Sequence, residues 1–236
     1  MQLFLLHFAG GSCYSFDFLR EALQETLEFL PLELPGRGKR FHEALLKSKE
    51  AAIEDYCNQI KALRNEGPYI VFGHSMGATL GLSVSDKMEK SGDPPEALIV
   101  SGNAGPGILR KKREVPFHLL PDVEFKEVLK ELGGVPEEVL ANRELFDFFS
   151  PIMRADFEVL NSTFTEKKIR LNTSVYALMG DKEEHSDQIA NWKNFTTSNF
   201  NSKVLKGNHF FIHDHKKELT SIIRQIATIS LEEIEN

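Results

Sequence analysis

Gly73-His74-Ser75-Met76-Gly77 sets a serine inside a tight glycine frame, directly after the apolar run Tyr69-Ile70-Val71-Phe72 and before a helical stretch that starts at Ser75. A serine hydroxyl is a weak nucleophile unaided. Its catalytic use needs a base to take the proton and donors to hold the oxyanion that develops. A strained strand-to-helix turn stands the side chain clear of the strand, and the helix N-terminus offers free N–H groups and the positive end of the dipole. The same five residues could also form a plain glycine-rich turn with a serine N-cap, so the strand before and the helix after carry the functional reading. Cys13 is a candidate thiol nucleophile, but no histidine is placed to activate it, and it is expected to pack.

Eight histidines compete for the role of base. His209 follows Val204-Leu205-Lys206-Gly207-Asn208, a strand and then a turn, which suits a residue that must reach Ser75 across the carboxyl edge of a sheet. His74 adjoins the serine and is expected to point elsewhere. His7, at the end of the first strand, is expected to pack near the mouth of the site. His213-Asp214-His215 lacks further ligands for a metal, and Asp214 reads as a helix cap. His42, His118 and His185 show no partner pattern.

The elements that would position these groups alternate. Leu3–Phe8 is a continuous apolar run suited to a strand buried on both faces. A helical stretch at Tyr14–Thr26 follows, then a strand at Phe29–Leu34 weakened by Pro31, and the loop Pro35-Gly36-Arg37-Gly38. Ile53, Cys57, Ile60 and Leu63 mark a helix between Lys49 and Arg64, and Ala97–Val100 is a further strand. This β-α-β-α-β-α-β order implies a parallel sheet. From about 115 to 166 the pattern turns helical without a strand. Phe125, Val128, Leu129 and Leu132 form one stripe there, and Leu145, Phe148 and Phe149 another. Such an insertion is a candidate lid over the sheet's active edge. Strands at Ser174–Met179 and Ser202–Leu205 then flank a helix at Ser186–Phe195, and a last helix carries Leu219, Ile222, Ile223 and Ile226.

This order predicts a single α/β domain over 1–236, of the α/β-hydrolase fold, with a mostly parallel sheet, helices on both faces and the helical lid inserted at about 115–166. In that fold the chain order is nucleophile, acid, histidine. The acid then falls in Gly180-Asp181-Lys182-Glu183-Glu184, where Asp181, Glu183 and Glu184 compete. The alternative loop, Ser101-Gly102-Asn103-Ala104, has no carboxylate. Ala9-Gly10-Gly11, after the first strand, resembles the glycine-rich oxyanion motif of esterases, and also suits a simple turn.

Four segments in order, Phe8-Ala9-Gly10-Gly11-Ser12, Leu34-Pro35-Gly36-Arg37-Gly38, Gly73-His74-Ser75-Met76-Gly77-Ala78 and Gly207-Asn208-His209-Phe210-Phe211, resemble the type II thioesterases, the stand-alone editing enzymes of nonribosomal peptide and polyketide assembly lines. Leu132-Gly133-Gly134-Val135-Pro136 and Pro151-Ile152-Met153-Arg154-Ala155-Asp156-Phe157 are similar to that family's lid pattern. The resemblance implies Ser75 as nucleophile, His209 as general base, and the backbone N–H groups of Ala9 and Met76 as the oxyanion hole. It points to Glu183 as the acid where the family usually has aspartate, with Asp181 as the alternative. His7 stands where the family often has proline. The implied substrates are acyl groups held as thioesters on the phosphopantetheine arms of acyl or peptidyl carrier proteins, cleaved with no cofactor and no metal. A fatty acid synthase-type acyl-carrier thioesterase or a general carboxylesterase would share the catalytic residues. A non-catalytic carrier-protein binder is the rival from another class. Arg37, Lys39 and Arg40 near the mouth are candidates for carrier docking, with solvated surface charge as the plainer reading.

Composition bounds the function by exclusion. The 236 residues carry 28 Lys+Arg against 35 Asp+Glu, a net charge of −7, which excludes a general nucleic-acid binder. No apolar run approaches the ~18–20 residues needed to span a bilayer. The apolar N-terminus lacks the basic region of a signal peptide, and two cysteines make no disulfide framework. A cytoplasmic monomer, apart from membranes and nucleic acids, is expected.

Overall fold

The computed structural model describes residues 1–108, 115–162 and 168–235. Within the expected domain, residues 109–114, 163–167 and 236 lie outside the described residues, and 163–166 of these belong to the expected lid. Strands β1 (Gln2–Leu6), β2 (Glu28–Pro31), β3 (Tyr69–His74), β4 (Ala97–Ser101), β5 (Ser174–Gly180) and β6 (Phe200–Leu205) form one sheet in the order β2-β1-β3-β4-β5-β6. Every neighbouring pair is parallel.

The continuous apolar runs follow from burial on both faces, because alternate side chains point opposite ways. Phe4, Leu6, Tyr69 and Val71 pack on one side against helices α2 (Lys49–Leu63) and α3 (Met76–Lys90) and the 3-10 segment Ser186–Phe195. Leu3, Leu5, Ile70 and Phe72 pack on the other against α1 (Asp17–Leu23) and α7 (Lys216–Glu235). Each fully buried Leu, Ile or Phe contributes roughly 1.5–3 kcal/mol, so the central strands are the stable floor on which the site rests. Ser48 starts α2 by accepting the Ala51 N–H at 3.2 Å, an N-cap in the place where the pattern predicts the helix to begin.

Several elements differ from expectation: α1 covers only Asp17–Leu23 of the stretch Tyr14–Thr26, β3 runs on to His74 and β6 starts at Phe200. β1 ends at Leu6 and β2 at Pro31, shorter than the apolar runs that announce them. β2 is an edge strand, so it tolerates the N–H that Pro31 lacks. One more bond, from the Leu32 N–H to the Leu5 carbonyl at 2.9 Å, follows before the chain turns away. Ser186–Phe195 is 3-10 rather than α, although Ile189, Trp192 and Phe195 still bury as the pattern requires.

Helices α4 (Asp122–Leu132), α5 (Glu137–Ala141) and α6 (Arg143–Asn161) build their own apolar cluster from Phe125, Val128, Leu129, Leu140, Phe146 and Met153. The stripe read through Leu145, Phe148 and Phe149 is corrected here. Asn142 caps α6 by accepting the Leu145 N–H at 3.1 Å, and the helix then buries Phe146 and Met153. Phe148 and Phe149 stand 51% and 37% exposed on another face. This segment packs on the carboxyl edge of the sheet: a Cβ on Gly10, after β1, would meet Met153, and one on Gly134 would strike the Phe210 ring after β6.

From β1 the chain steps outward to β2 and then crosses back to β3 on the other side. The loops after β1 and β3 therefore diverge at a topological switch point, where α/β sheets form crevices. Their closeness has a strict steric condition. A Cβ on Gly77, in the first turn of α3, would lie 2.0 Å from the Leu6 carbonyl oxygen and 2.9 Å from that of His7. Both contacts are backbone and cannot swing aside. Gly77→Ala is therefore expected to cost at least about 2 kcal/mol in unfolding free energy, measured by urea titration; an unchanged midpoint would contradict this packing.

Candidate active site

Ser75 has φ 55° and ψ −108°, a conformation that a non-glycine residue adopts only when its surroundings enforce it. Three contacts enforce it here. The Ser75 N–H donates to the Ser101 carbonyl at 2.7 Å, tying the turn to the end of β4. The turn closes so tightly that a Cβ on Gly73 would sit 2.2 Å from the Gly77 carbonyl oxygen. Gly77 in turn rests on β1. The outcome is a half-buried serine at the N-terminus of α3, with the Met76 N–H among the helix's unsatisfied donors.

The turn after β6 brings His209 over this serine. His209 Nε2 lies 2.9 Å from Ser75 Oγ, and His209 Nδ1 lies 2.8 Å from Glu183 Oε2. A carboxylate only accepts, so opposite Glu183 the proton belongs on Nδ1 and Nε2 is left to accept from the serine hydroxyl. The second carboxylate oxygen of Glu183 accepts the Gly180 N–H at 2.8 Å, which fixes the side chain. Asp181 is committed elsewhere: its Oδ1 accepts the Gly207 N–H at 2.8 Å and braces the histidine turn. Of the three competing carboxylates, the structure brings Glu183 to the imidazole. Glu184 lies 3.5 Å from His185.

The loop after β1 is held from beneath by buried charge. Arg37 and Asp156 are 3% and 0% exposed and pair through two bonds, Nη1 to Oδ2 at 2.5 Å and Nη2 to Oδ1 at 2.8 Å. Asp156 Oδ2 also accepts the Gly10 N–H at 2.7 Å, while Arg37 Nη1 donates to the Gly11 carbonyl at 3.3 Å. Burial opposes the charge on Arg37, but the hydrogen bonds and charge of Asp156 outweigh it and raise the guanidinium pKa. Glu33 braces the loop's far end by accepting the Cys13 N–H at 3.0 Å and the Lys39 N–H at 2.7 Å. Gly38 is required because a Cβ there would overlap the Glu33 carboxylate at 2.1 Å. With Gly10 on Asp156 and the Gly11 N–H on the Phe8 carbonyl at 2.9 Å, the next donor back along the loop is Ala9.

Residues 1–229 match the family model described as the thioesterase domain. The chain belongs to the thioesterase family. It is 31% identical over 222 residues to the gramicidin S biosynthesis protein GrsT of Aneurinibacillus migulanus, covering 93% of this chain and 86% of that one. Thioesterase PikA5 of Streptomyces venezuelae is 29% identical over 226 residues, covering 94% and 79%. Among solved structures, ClbQ from the colibactin NRPS/PKS pathway superposes with a TM-score of 0.88 at 29% identity, covering 100% of this chain and 99% of that one. The parallel six-stranded sheet is thus that of an α/β-hydrolase, and the enzyme is a hydrolase acting on thioesters.

Several other side chains of this thioesterase fall into place. Arg37 is neither a docking residue nor a solvated charge; the glycines on either side let it turn inward to Asp156. Arg40 pairs with Glu43 and Asp55. Sequence reasoning missed Asp156, although an acid at a position that the buried face of α6 should fill was a usable signal. Cys13 is buried, and burial with Glu33 raises its pKa, which suits packing. His74 is fully buried with Nδ1 3.0 Å from Ser101 Oγ, and burial, then the charges of His209 and His213, hold its pKa well below the usual value. His215 Nε2 donates to the Lys206 carbonyl at 2.7 Å, and the cap of α7 falls to His215, whose carbonyl accepts the Leu219 N–H, rather than to Asp214. Among the described residues no helix is long and apolar enough to cross a membrane.

His7 donates from Nδ1 to the Phe8 carbonyl at 2.8 Å and accepts the Leu34 N–H on Nε2 at 3.3 Å, an arrangement open only to the neutral ring. Burial, then the charge of Arg37, lowers its pKa to about 4. The unfolded chain binds this proton near pH 6.5 and the native state does not, so the stabilisation is complete above about pH 6.5 and is lost as pH falls towards 4. That lowered pKa corresponds to about 3 kcal/mol, and His74 acts in the same direction. Urea unfolding of wild type is expected to weaken by at least about this amount between pH 7 and pH 4, with His7→Gln flattening the dependence. A His7→Gln profile parallel to wild type would contradict the assignment.

Proposed function

We propose that this thioesterase removes stalled or wrongly loaded acyl groups from the phosphopantetheine arms of carrier proteins in nonribosomal peptide and polyketide synthesis, with Ser75 as nucleophile, His209 as general base and Glu183 as the acid. One observation carries the mechanism: the hydrogen-bonded chain from Ser75 through His209 to Glu183 at the carboxyl edge of the sheet. The similarity to a gramicidin S biosynthesis protein and to a colibactin-pathway structure supports the setting.

The steps follow from the geometry. His209 Nε2 takes the hydroxyl proton as Ser75 Oγ bonds to the thioester carbonyl carbon. The carbonyl oxygen becomes an oxyanion facing the N–H groups of Ala9 and Met76. Collapse breaks the carbon–sulfur bond, and the imidazolium returns its proton to the departing thiol. Water deprotonated by His209 then attacks the Ser75 ester, releasing the carboxylic acid and restoring the hydroxyl. Glu183 keeps the imidazole in the reactive tautomer and stabilises its charged form at each stage. The α4–α6 segment acts as the lid that admits the arm and screens the acyl chain.

Acetyl-loaded carrier protein is expected to be hydrolysed faster than acetyl-CoA or p-nitrophenyl acetate, and Ser75→Ala should lose all three activities while keeping the fold by circular dichroism. A rate highest on the simple ester would favour an esterase, and no turnover of any substrate would favour a binding protein. Glu183→Gln is expected to lose roughly 10²–10⁴ in kcat by analogy with tautomer-disrupting triad variants. Asp181→Asn should stay much closer to wild type. Equal small losses would move the acid out of this loop.

A further inference from the structure

We propose that Arg37 and Asp156 are positioning residues for the oxyanion hole, and that they make its geometry depend on where helix α6 sits. The inference rests on the acyl-transfer reading of Ser75 and concerns a pair to which that mechanism gives no role.

The pair joins three pieces of chain remote in sequence: the loop after β1, the loop after β2 and a helix of the inserted segment. Asp156 holds the Gly10 N–H at 2.7 Å and Arg37 holds the Gly11 carbonyl at 3.3 Å. The Gly10 N–H belongs to the first peptide unit after Ala9 and the Gly11 carbonyl to the third, so the pair pins the chain on the C-terminal side of Ala9 and with it the direction in which the Ala9 N–H points. Met153, one turn before Asp156 on α6, covers the same glycine: a Cβ on Gly10 would come within 2.9 Å of its Cγ. The opposite wall of the hole, the Met76 N–H, belongs to α3 and is tied to the sheet through Ser75 and Gly77. One donor is thus set by the core and the other by a residue carried on the inserted helix. If α6 moves away, Asp156 releases Gly10 and leaves Arg37 buried without its counter-charge, which opposes partial displacement. The hole is then complete only when α6 is seated over the substrate, and hydrolysis of a free ester outside a closed site is suppressed.

Arg37 Nη1 and Nη2 and both Asp156 oxygens are spent on each other and on the loop, and the remaining Arg37 Nε is buried without a hydrogen-bond partner, so the pair is argued to act through the loop rather than on the reacting atoms. The test must therefore separate positioning from mere support of the fold. Asp156→Asn keeps size and one hydrogen-bonding oxygen but removes the charge. Active sites would be counted with a fluorophosphonate. Steady-state kinetics on acetyl-CoA and the affinity for an alkyl trifluoromethyl ketone, whose serine adduct carries an oxyanion, would then be expressed per active site. A misdirected donor predicts a fall in kcat of about 10- to 10²-fold with KM little changed, and a loss of ketone affinity by a similar factor.

Should Asp156→Asn fail to fold, the double variant Arg37→Met with Asp156→Leu removes both buried charges together and takes the same measurements. Wild-type kcat per site and wild-type ketone affinity in whichever variant folds, with only a lowered Tm, would overturn the proposal and leave the pair a structural tie. Failure of the fluorophosphonate to label wild type at Ser75 would instead remove the acyl-transfer reading, and this inference with it.

Discussion

The close approach of the first turn of α3 to the end of β1, glycine against carbonyl, is the constraint from which the site follows. Gly77 lets the helix N-terminus settle on Leu6 and His7, and that contact places Ser75 beside the loop that begins at Phe8. The strained backbone of Ser75 is the cost of this seating, about 1–3 kcal/mol for such a conformation. The surrounding sheet meets it, since β1, β3 and β4 are buried on both faces and leave the turn no alternative path. A serine held this way would need no reorganisation to act as the proposed nucleophile.

Around that rigid centre the remaining groups are placed by loops, and loops require polar anchors. The enzyme buries His7, Glu33, Arg37, His74 and Asp156 where an apolar core might stand. Such groups are poor contributors to net stability, because desolvation offsets most of their attraction. Their value lies in direction. A carboxylate on a backbone N–H fixes the orientation of a peptide unit, which side-chain packing alone does poorly. The neutral imidazoles of His7 and His74 serve a related purpose by meeting backbone and hydroxyl partners, and a neutral His74 places no extra charge beside His209.

What could be read from the sequence divides along the same line. The strands and the Ser75 turn were legible because continuous apolar runs and close glycines leave few alternatives. His209 was legible because it follows a strand in the order the fold requires. The residues of the acid turn alone left Glu183, Asp181 and Glu184 open, since all lie in one polar turn, and only the family resemblance favoured Glu183; in the structure Glu183 meets the imidazole and Asp181 meets Gly207. Arg37 was misread as surface because a basic residue in a Pro-Gly-Arg-Gly loop is ordinarily solvated, and its partner lies 119 residues away. The phase of α6 was misread because Phe148 and Phe149 are apolar yet exposed. No local pattern reveals which of two apolar stripes faces the core.

The central claim is that an acyl group passes through a covalent ester on Ser75. Wild type and Glu183→Gln mixed with acetyl-loaded carrier protein, quenched in acid within milliseconds and digested, would reveal the acylated peptide by mass spectrometry. The account predicts acetyl on the Ser75 hydroxyl, transient in wild type, and no adduct at all in Ser75→Ala. An acetyl group on Cys13 or another residue, or hydrolysis with no covalent adduct at any time, would contradict it.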